Sequence, residues 1–409
     1  MNELDPVEIM LNIHRVIPYY QPIISADTQL VIGYEISAYY VEENNEFKNI
    51  DWFLTDSTIP DDFRLDLCRH LLDKAIDYQI EMDPSMDIFF NYDSNLLMKD
   101  RGECLEKLLY SYMNKGFKRE KLVLQLKEPF NQEELDSVRL LFNYLKSLGL
   151  RIALDDIGER NASLDRFAYL KPNIVKIDLR FLKDNESPHL YRDVHHSISL
   201  LSQKIGATLM FKNISTYNQF NHAWRNGGRF YQGSYFARIG AQFIQKDDCK
   251  KKIQKDFRLF VNYEHKKIKA QLDLTSKINQ QLKQVLLSMN ENEPYDDTAM
   301  KVGKACSDFI FRVYICNDEG LQLSANIEKN DDGSWIFNEE VRNKNWSWRP
   351  YFFENIARMN IEKKGILSDL YTDIEKNEQI RTFSYPISDN LYIFLDIPYT
   401  FLFEQEGLL

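Results

Sequence analysis

Arg151-Ile-Ala-Leu-Asp155-Asp156-Ile157-Gly158 is an apolar run that stops on two adjacent carboxylates, and Ile174-Val-Lys176-Ile-Asp178 repeats that form. Both runs have the length and branched-residue content of a buried strand. Similar runs lie at Val31–Ile36, Ile88–Phe90, Leu122–Leu126 and Thr208–Phe211, separated by stretches with helical apolar spacing. Strands alternating with helices predict an α/β fold with parallel strands, and this many units predicts a TIM-type (β/α)8 barrel. The C-terminal ends of barrel strands share one mouth, so Asn91, Asp155, Asp156 and Asp178, each following its run, would converge there. At any single position a turn-opening role is the better explanation of such a residue. Repetition at several strand ends is what points to a site.

A chain of 409 residues exceeds one core and predicts more than one domain. The barrel is expected over 1–246. From 247 to 293 the pattern becomes one long linker helix, with Ile253, Phe257, Phe260, Ile268, Leu272, Ile278, Leu282, Val285 and Met289 mostly three or four apart. That stripe would pack on its own barrel or form a seam between two chains of a homodimer. Beyond Pro294 aromatic strand-like runs at 309–315 and Leu391–Leu395, the turn Asn317–Gly320 and a helix around Tyr351–Met359 predict a small α+β domain over 294–409.

A formal net charge of −11 supplies no broad basic face, which argues against nucleic acid as a partner. No apolar run of about 18 residues and no export signal is evident, so membrane insertion is not expected. Five cysteines without a C-x-x-C pair fit reduced thiols and a cytoplasmic location. His195 and His196, like His70, His189 and His222, lack metal-ligand spacing.

Six short segments occur in a fixed order: Tyr20-Gln21-Pro22-Ile23, Gly33-Tyr34-Glu35-Ile36-Ser37, Asn91, Asp155-Asp156-Ile157-Gly158, Lys176-Ile177-Asp178 and Tyr231-Gln232-Gly233. In these the chain resembles the EAL family of cyclic-di-GMP phosphodiesterases over roughly residues 15–245. Its remainder, through Asn345-Trp-Ser-Trp-Arg-Pro-Tyr-Phe352, resembles the YkuI type, in which a PAS-like or Cache-like domain follows the barrel. The resemblance implies hydrolysis of one phosphodiester bond by water held on two divalent cations. It places Glu35, Asn91, Asp155 and Asp156 at metal-ligand positions and Lys176 at a position that orients water or phosphate.

The same comparison exposes departures. Gln125 stands where the family has a metal-binding glutamate, and Lys212 and Ser215 replace two more, Lys212 at the position of the presumed general base. A charged lysine accepts no proton. Tyr39 replaces a phosphate-contacting arginine, which weakens the case for cyclic-di-GMP as a ligand. The loop Ile157-Gly-Glu-Arg160-Asn161 also differs, with Arg160 as a compensating charge or a solvated one. The Lys212 ammonium either sits among Glu35, Asp155 and Asp156 in place of a metal or points to solvent.

A catalytically degenerate EAL protein is therefore expected, a regulatory or scaffold pseudo-enzyme with no intact catalytic set and no resident metal. The alternatives are a non-hydrolysing cyclic-di-GMP receptor and an active phosphodiesterase using Mg²⁺, Mn²⁺ or Ca²⁺. In the C-terminal domain Trp346, Trp348, Arg349 and Tyr351 offer aromatic walls and a guanidinium for an unidentified small ligand. Equally, the aromatics fill a small core and Arg349 pairs with Asp369 or Asp396.

Overall fold

The computed structural model describes residues 4–127, 135–157, 164–180, 188–288, 293–349 and 352–404. The chain forms two compact units, Met1–Phe257 and Arg258–Leu409.

The first unit contains β1 (Val16–Ser25), β2 (Val31–Val41), β3 (Phe47–Asn49), β4 (Asp87–Asn91), β5 (Leu122–Lys127), β6 (Arg151–Asp155), β7 (Ile174–Asp178), β8 (Thr208–Lys212) and β9 (Phe230–Gln232). Their order is β1-β9-β8-β7-β6-β5-β4-β2-β3, and β1 also pairs with β2, closing eight strands into a barrel with β3 outside it. Helices Asp61–Met82, Leu135–Ser147, Leu164–Leu170, Pro188–Ile205 and Tyr217–Arg225 alternate with the later strands.

One expectation is corrected: β1 runs antiparallel to both β2 and β9, while β2 and β4–β9 are parallel. Only residues 26–30 join β1 to β2, and a parallel crossover needs a dozen or more. Gly33 lets β2 approach β4, since a Cβ there would lie 2.4 Å from the Asp87 carbonyl oxygen.

Inside the barrel Ile23, Phe89, Val123, Ala153, Ile174 and Met210 form one buried layer. Asn91, Gln125, Asp155, Lys176 and Lys212 each lie two residues further along the same strands. Because side chains alternate with period two, these polar groups form the next inward layer, toward the mouth.

The long helix is Lys250–Leu287. Of its apolar stripe, Ile253, Phe260, Ile278 and Leu282 are buried, whereas Ile268 and Leu272 are exposed; Met289 lies outside the described residues. In the second unit, β10 (Arg312–Asn317), β11 (Asn326–Lys329), β12 (Trp335–Asn338), β13 (Ile366–Leu367), β14 (Tyr371–Thr372), β15 (Gln379–Ser388) and β16 (Leu391–Pro398) make an antiparallel sheet. Its order is β12-β11-β10-β16-β15-β13, with β14 on β15. Val313, Ile315, Phe383 and Leu395 pack on Ile278, Leu282, Ala299 and Val302. The alternate residues Tyr314, Cys316, Tyr392 and Phe394 pack on Phe352, Ile356 and Met359 of the helix Phe352–Glu362. Among the described residues no helix is long and apolar enough to cross a membrane.

Candidate functional site at the barrel mouth

Glu35 on β2 is the hub of one half of the polar layer. Its Oε1 accepts from Asn91 Nδ2 at 3.1 Å, and its Oε2 accepts from Lys176 Nζ at 2.9 Å and Gln232 Nε2 at 2.6 Å. Gln125 Nε2 donates to Asn91 Oδ1 at 3.1 Å, and its carbonyl oxygen accepts from Lys176. Lys176 is wholly buried and lies 3.6 Å from Asp155 Oδ2. Gln232 depends on the glycine after it. Gly233 has φ +151°, and a Cβ there would lie 2.0 Å from the Ile214 carbonyl oxygen.

Lys212 is the hub of the other half. Its Nζ lies 2.7 Å from Asp155 Oδ1, 2.5 Å from Asp156 Oδ1 and 4.0 Å from Asp178 Oδ2. Asp156 adopts the left-handed conformation at φ +58° and also pairs with Lys127 at 2.6 Å. Asp178 accepts from Asn213 Nδ2 at 2.7 Å and pairs with Arg180 at 2.8 Å. Lys212 thus meets Asp155 and Asp156, while the ion pair of Glu35 comes from Lys176.

Burial alone would push Asp155 up, but the Lys176 and Lys212 ammoniums overcome it and hold the carboxyl well below the usual range. Burial would likewise raise Glu35, and Lys176 above all reverses that to a lowered value. Lys212 shows the converse: desolvation pulls it down, and Asp155 and Asp156 lift it above an ordinary lysine. All three groups are therefore charged at neutral pH.

Ser215 does not face this layer. Its N–H and hydroxyl donate to Gln219 Oε1 at 2.8 and 3.0 Å, inside the capping box that starts the helix Tyr217–Arg225. Tyr39 stacks on Tyr19, with ring centroids 4.2 Å apart. Arg160 lies outside the described residues. Sequence reading left three contacts unassigned: Gln232 on Glu35, Lys127 on Asp156 and Asn213 on Asp178. Gln232 belongs to the Tyr231-Gln232-Gly233 motif, whereas the other two carry no local signal.

In the second unit the Arg349 guanidinium lies 4.5 Å from the Trp346 ring centroid and 5.9 Å from that of Trp348. Trp346 Nε1 donates to Gln322 at 2.8 Å, Trp348 is exposed, and Tyr351 lies outside the described residues. Asp396, one of the two partners expected for Arg349, is held instead by Arg312 Nε and Thr382 Oγ1, both at 2.6 Å. Trp346 and Arg349 line a cavity of about 20 Å³, room for one water.

The EAL domain model matches residues 7–239, and the model of an EAL-domain associated signalling protein domain matches residues 243–409. The chain belongs to the EAL-domain family. YkuI of Bacillus subtilis (strain 168), an uncharacterized EAL-domain containing protein, is 40% identical over 408 residues, covering 99% of this chain and 100% of its own. The crystal structure of YkuI in complex with substrate c-di-GMP and calcium matches this EAL protein with a TM-score of 0.93 at 39% identity, over 99% of this chain and 100% of that one. PdeD of Escherichia coli (strain K12), a probable cyclic di-GMP phosphodiesterase, is 26% identical over 224 residues, 54% of this chain and 40% of its own. Among the described residues of this EAL protein no group of three or more His, Cys, Asp or Glu side chains is placed to hold a metal ion.

Proposed function

We propose that this EAL protein is a catalytically inert, cytoplasmic regulator whose barrel acts by binding rather than by hydrolysis and whose C-terminal domain senses a ligand. The contact of Lys212 with both Asp155 and Asp156 carries the reading. Two-metal hydrolysis needs anionic oxygen ligands that clamp two divalent cations and lower the pKa of bound water. Here the carboxylates at the mouth already hold ammonium groups. A divalent ion about 4 Å from an ammonium meets about 8 kcal/mol of repulsion at an effective dielectric near 20. The residues present do not fit two metals, and Lys212 accepts no proton at the position of the family's presumed base. Five free cysteines support a reducing compartment.

A second reading, a receptor that holds cyclic-di-GMP without cutting it, is favoured by the complex of YkuI with c-di-GMP. That complex strengthens the nucleotide as a ligand against the expectation drawn from Tyr39. Titration calorimetry with cyclic-di-GMP, with and without Mg²⁺ or Ca²⁺, followed by chromatography of the nucleotide, tests both. Heat without a linear product supports the receptor, no heat supports a scaffold, and appearance of linear product refutes both.

A further inference from the structure

Two arginines are buried in the second unit, and they are treated oppositely. Arg312 is fully partnered, with Asp396 at 2.6 Å, Asp373 at 2.8 Å and Glu375 at 3.1 Å. Arg381 on β15 is 9% exposed and makes no salt bridge among the described residues. Among the described residues its Nη1 reaches only the Ser368 carbonyl oxygen, at 3.4 Å, and its buried Nε has no hydrogen-bond partner. Asp369 acts on it only at longer range, and a desolvated guanidinium with no anion bonded to it is unfavourable, which leaves the site short of a negative partner.

Arg381 lines an open groove of about 670 Å³ within this unit, in the size range of small-molecule sites. Leu272 of the long helix and Tyr385 of β15 give the groove an apolar wall. Lys283 and Lys364 stand exposed along it, without a salt bridge among the described residues, and Asp369, whose charge also acts on Arg381, is the one lining carboxylate without a salt bridge among the described residues. The other charges cancel locally: Arg358 pairs with Glu362 at 3.6 Å, and Lys363 with Asp389 at 2.7 Å. Three cations against one carboxylate leave a surplus of two positive charges.

We propose that this groove binds a small phosphomonoester with an apolar body, anchored by Arg381. A phosphomonoester carries close to two negative charges at neutral pH and offers the oxygens that a guanidinium binds through charge-assisted hydrogen bonds. Leu272 and Tyr385 would take the organic part. This moves the ligand site of the C-terminal domain away from Arg349, whose cavity holds no more than a water, to the opposite side of the sheet, where Arg381 shares its face with Phe383.

Thermal unfolding and calorimetry of the full chain test it, with phenyl phosphate and inorganic phosphate as probes and sodium chloride at matched ionic strength as control. The wild type should melt higher with either phosphate than with chloride. Arg381→Met should melt above the wild type without ligand, because it removes a desolvated charge that no bonded anion offsets, and should lose the phosphate-dependent rise. Its affinity for phenyl phosphate should fall about 10- to 100-fold. Lys283→Ala with Lys364→Ala, both on exposed positions, should weaken binding several-fold at unchanged ligand-free Tm. No rise in the wild type, a rise that survives Arg381→Met, or ligand-free Arg381→Met melting below wild type would each overturn the proposal.

Discussion

Lys212 Nζ stands 2.7 Å from Asp155 Oδ1, so a cation tethered to β8 neutralises the carboxylate that ends β6. Removing it strands charge in a buried layer. Lys212→Ala should cost about 3 kcal/mol at neutral pH, somewhat less than a sole-partner loss because Lys176 and Lys127 remain nearby. Urea unfolding measures it. The pH dependence follows from the directions of the shifts. Asp155 is depressed in the fold, so its contribution is present above about pH 4 and is lost as pH falls further. Lys212 is raised, so its contribution is present below about pH 10 and lost above. The penalty of Lys212→Ala should be flat between those limits and shrink outside them.

Restoring carboxylates should restore metal binding. Gln125→Glu with Lys212→Glu makes the mouth three charge units more negative and removes the ammonium between Asp155 and Asp156. The double variant should bind Mn²⁺ in calorimetry where the wild type gives no heat. Adding Ser215→Glu should bring little further affinity and lower stability by about 1 kcal/mol, since Ser215 bonds the Gln219 carboxamide of a helix cap rather than the mouth. A double variant silent toward Mn²⁺ would show that charge is not what excludes the ion.

Arg312 and Arg349 should separate cleanly in thermal unfolding. Arg312→Ala leaves Asp373 and Asp396 buried without their cation and should cost 3 kcal/mol or more, by order of magnitude. Arg349→Ala loses stacking on indole rings at a half-buried position and should cost about 1 kcal/mol or less. Equal losses would mean that Arg349 is a determinant of the fold.

His195 makes the fold sensitive to mild acid. Burial pushes its imidazole down to about 4, and its Nδ1 lies 3.0 Å from His222 Nε2. The unfolded chain protonates near pH 6.5, so stability present above that pH is lost as pH falls toward 4, by about 3 kcal/mol. His195→Phe should lose less between pH 6.5 and 4.5 than the wild type does in denaturant titrations. Parallel losses in the two proteins would refute the assignment.

The polar layer was legible because strand periodicity ties it to the apolar one. Asn91, Asp155 and Lys212 each end a strand and Lys176 stands at the centre of one, and the two-residue step from the apolar layer places all four inward. β1 was not legible as a strand, because Pro18 and Pro22 interrupt Val16–Ser25 and proline in a run argues against one. The pairing of charges was only half legible. Lys212 and Asp155 sit on strands that are not neighbours, and Glu35 could draw its cation from either lysine until the barrel closed. Arg381 was missed for a related reason. A charge on a strand face reads as solvated unless the covering helix, here Ile268 to Lys283, is known to lie over it.

Diffraction from crystals of the wild-type chain soaked in Mn²⁺, with data collected at a wavelength where manganese scatters anomalously, tests the inert-barrel account most directly. The account predicts no anomalous peak within coordination distance of Asp155 and Asp156 and an unbroken contact from Lys212 to both. A well-occupied manganese ion on Asp155, with the Lys212 side chain displaced, would contradict it.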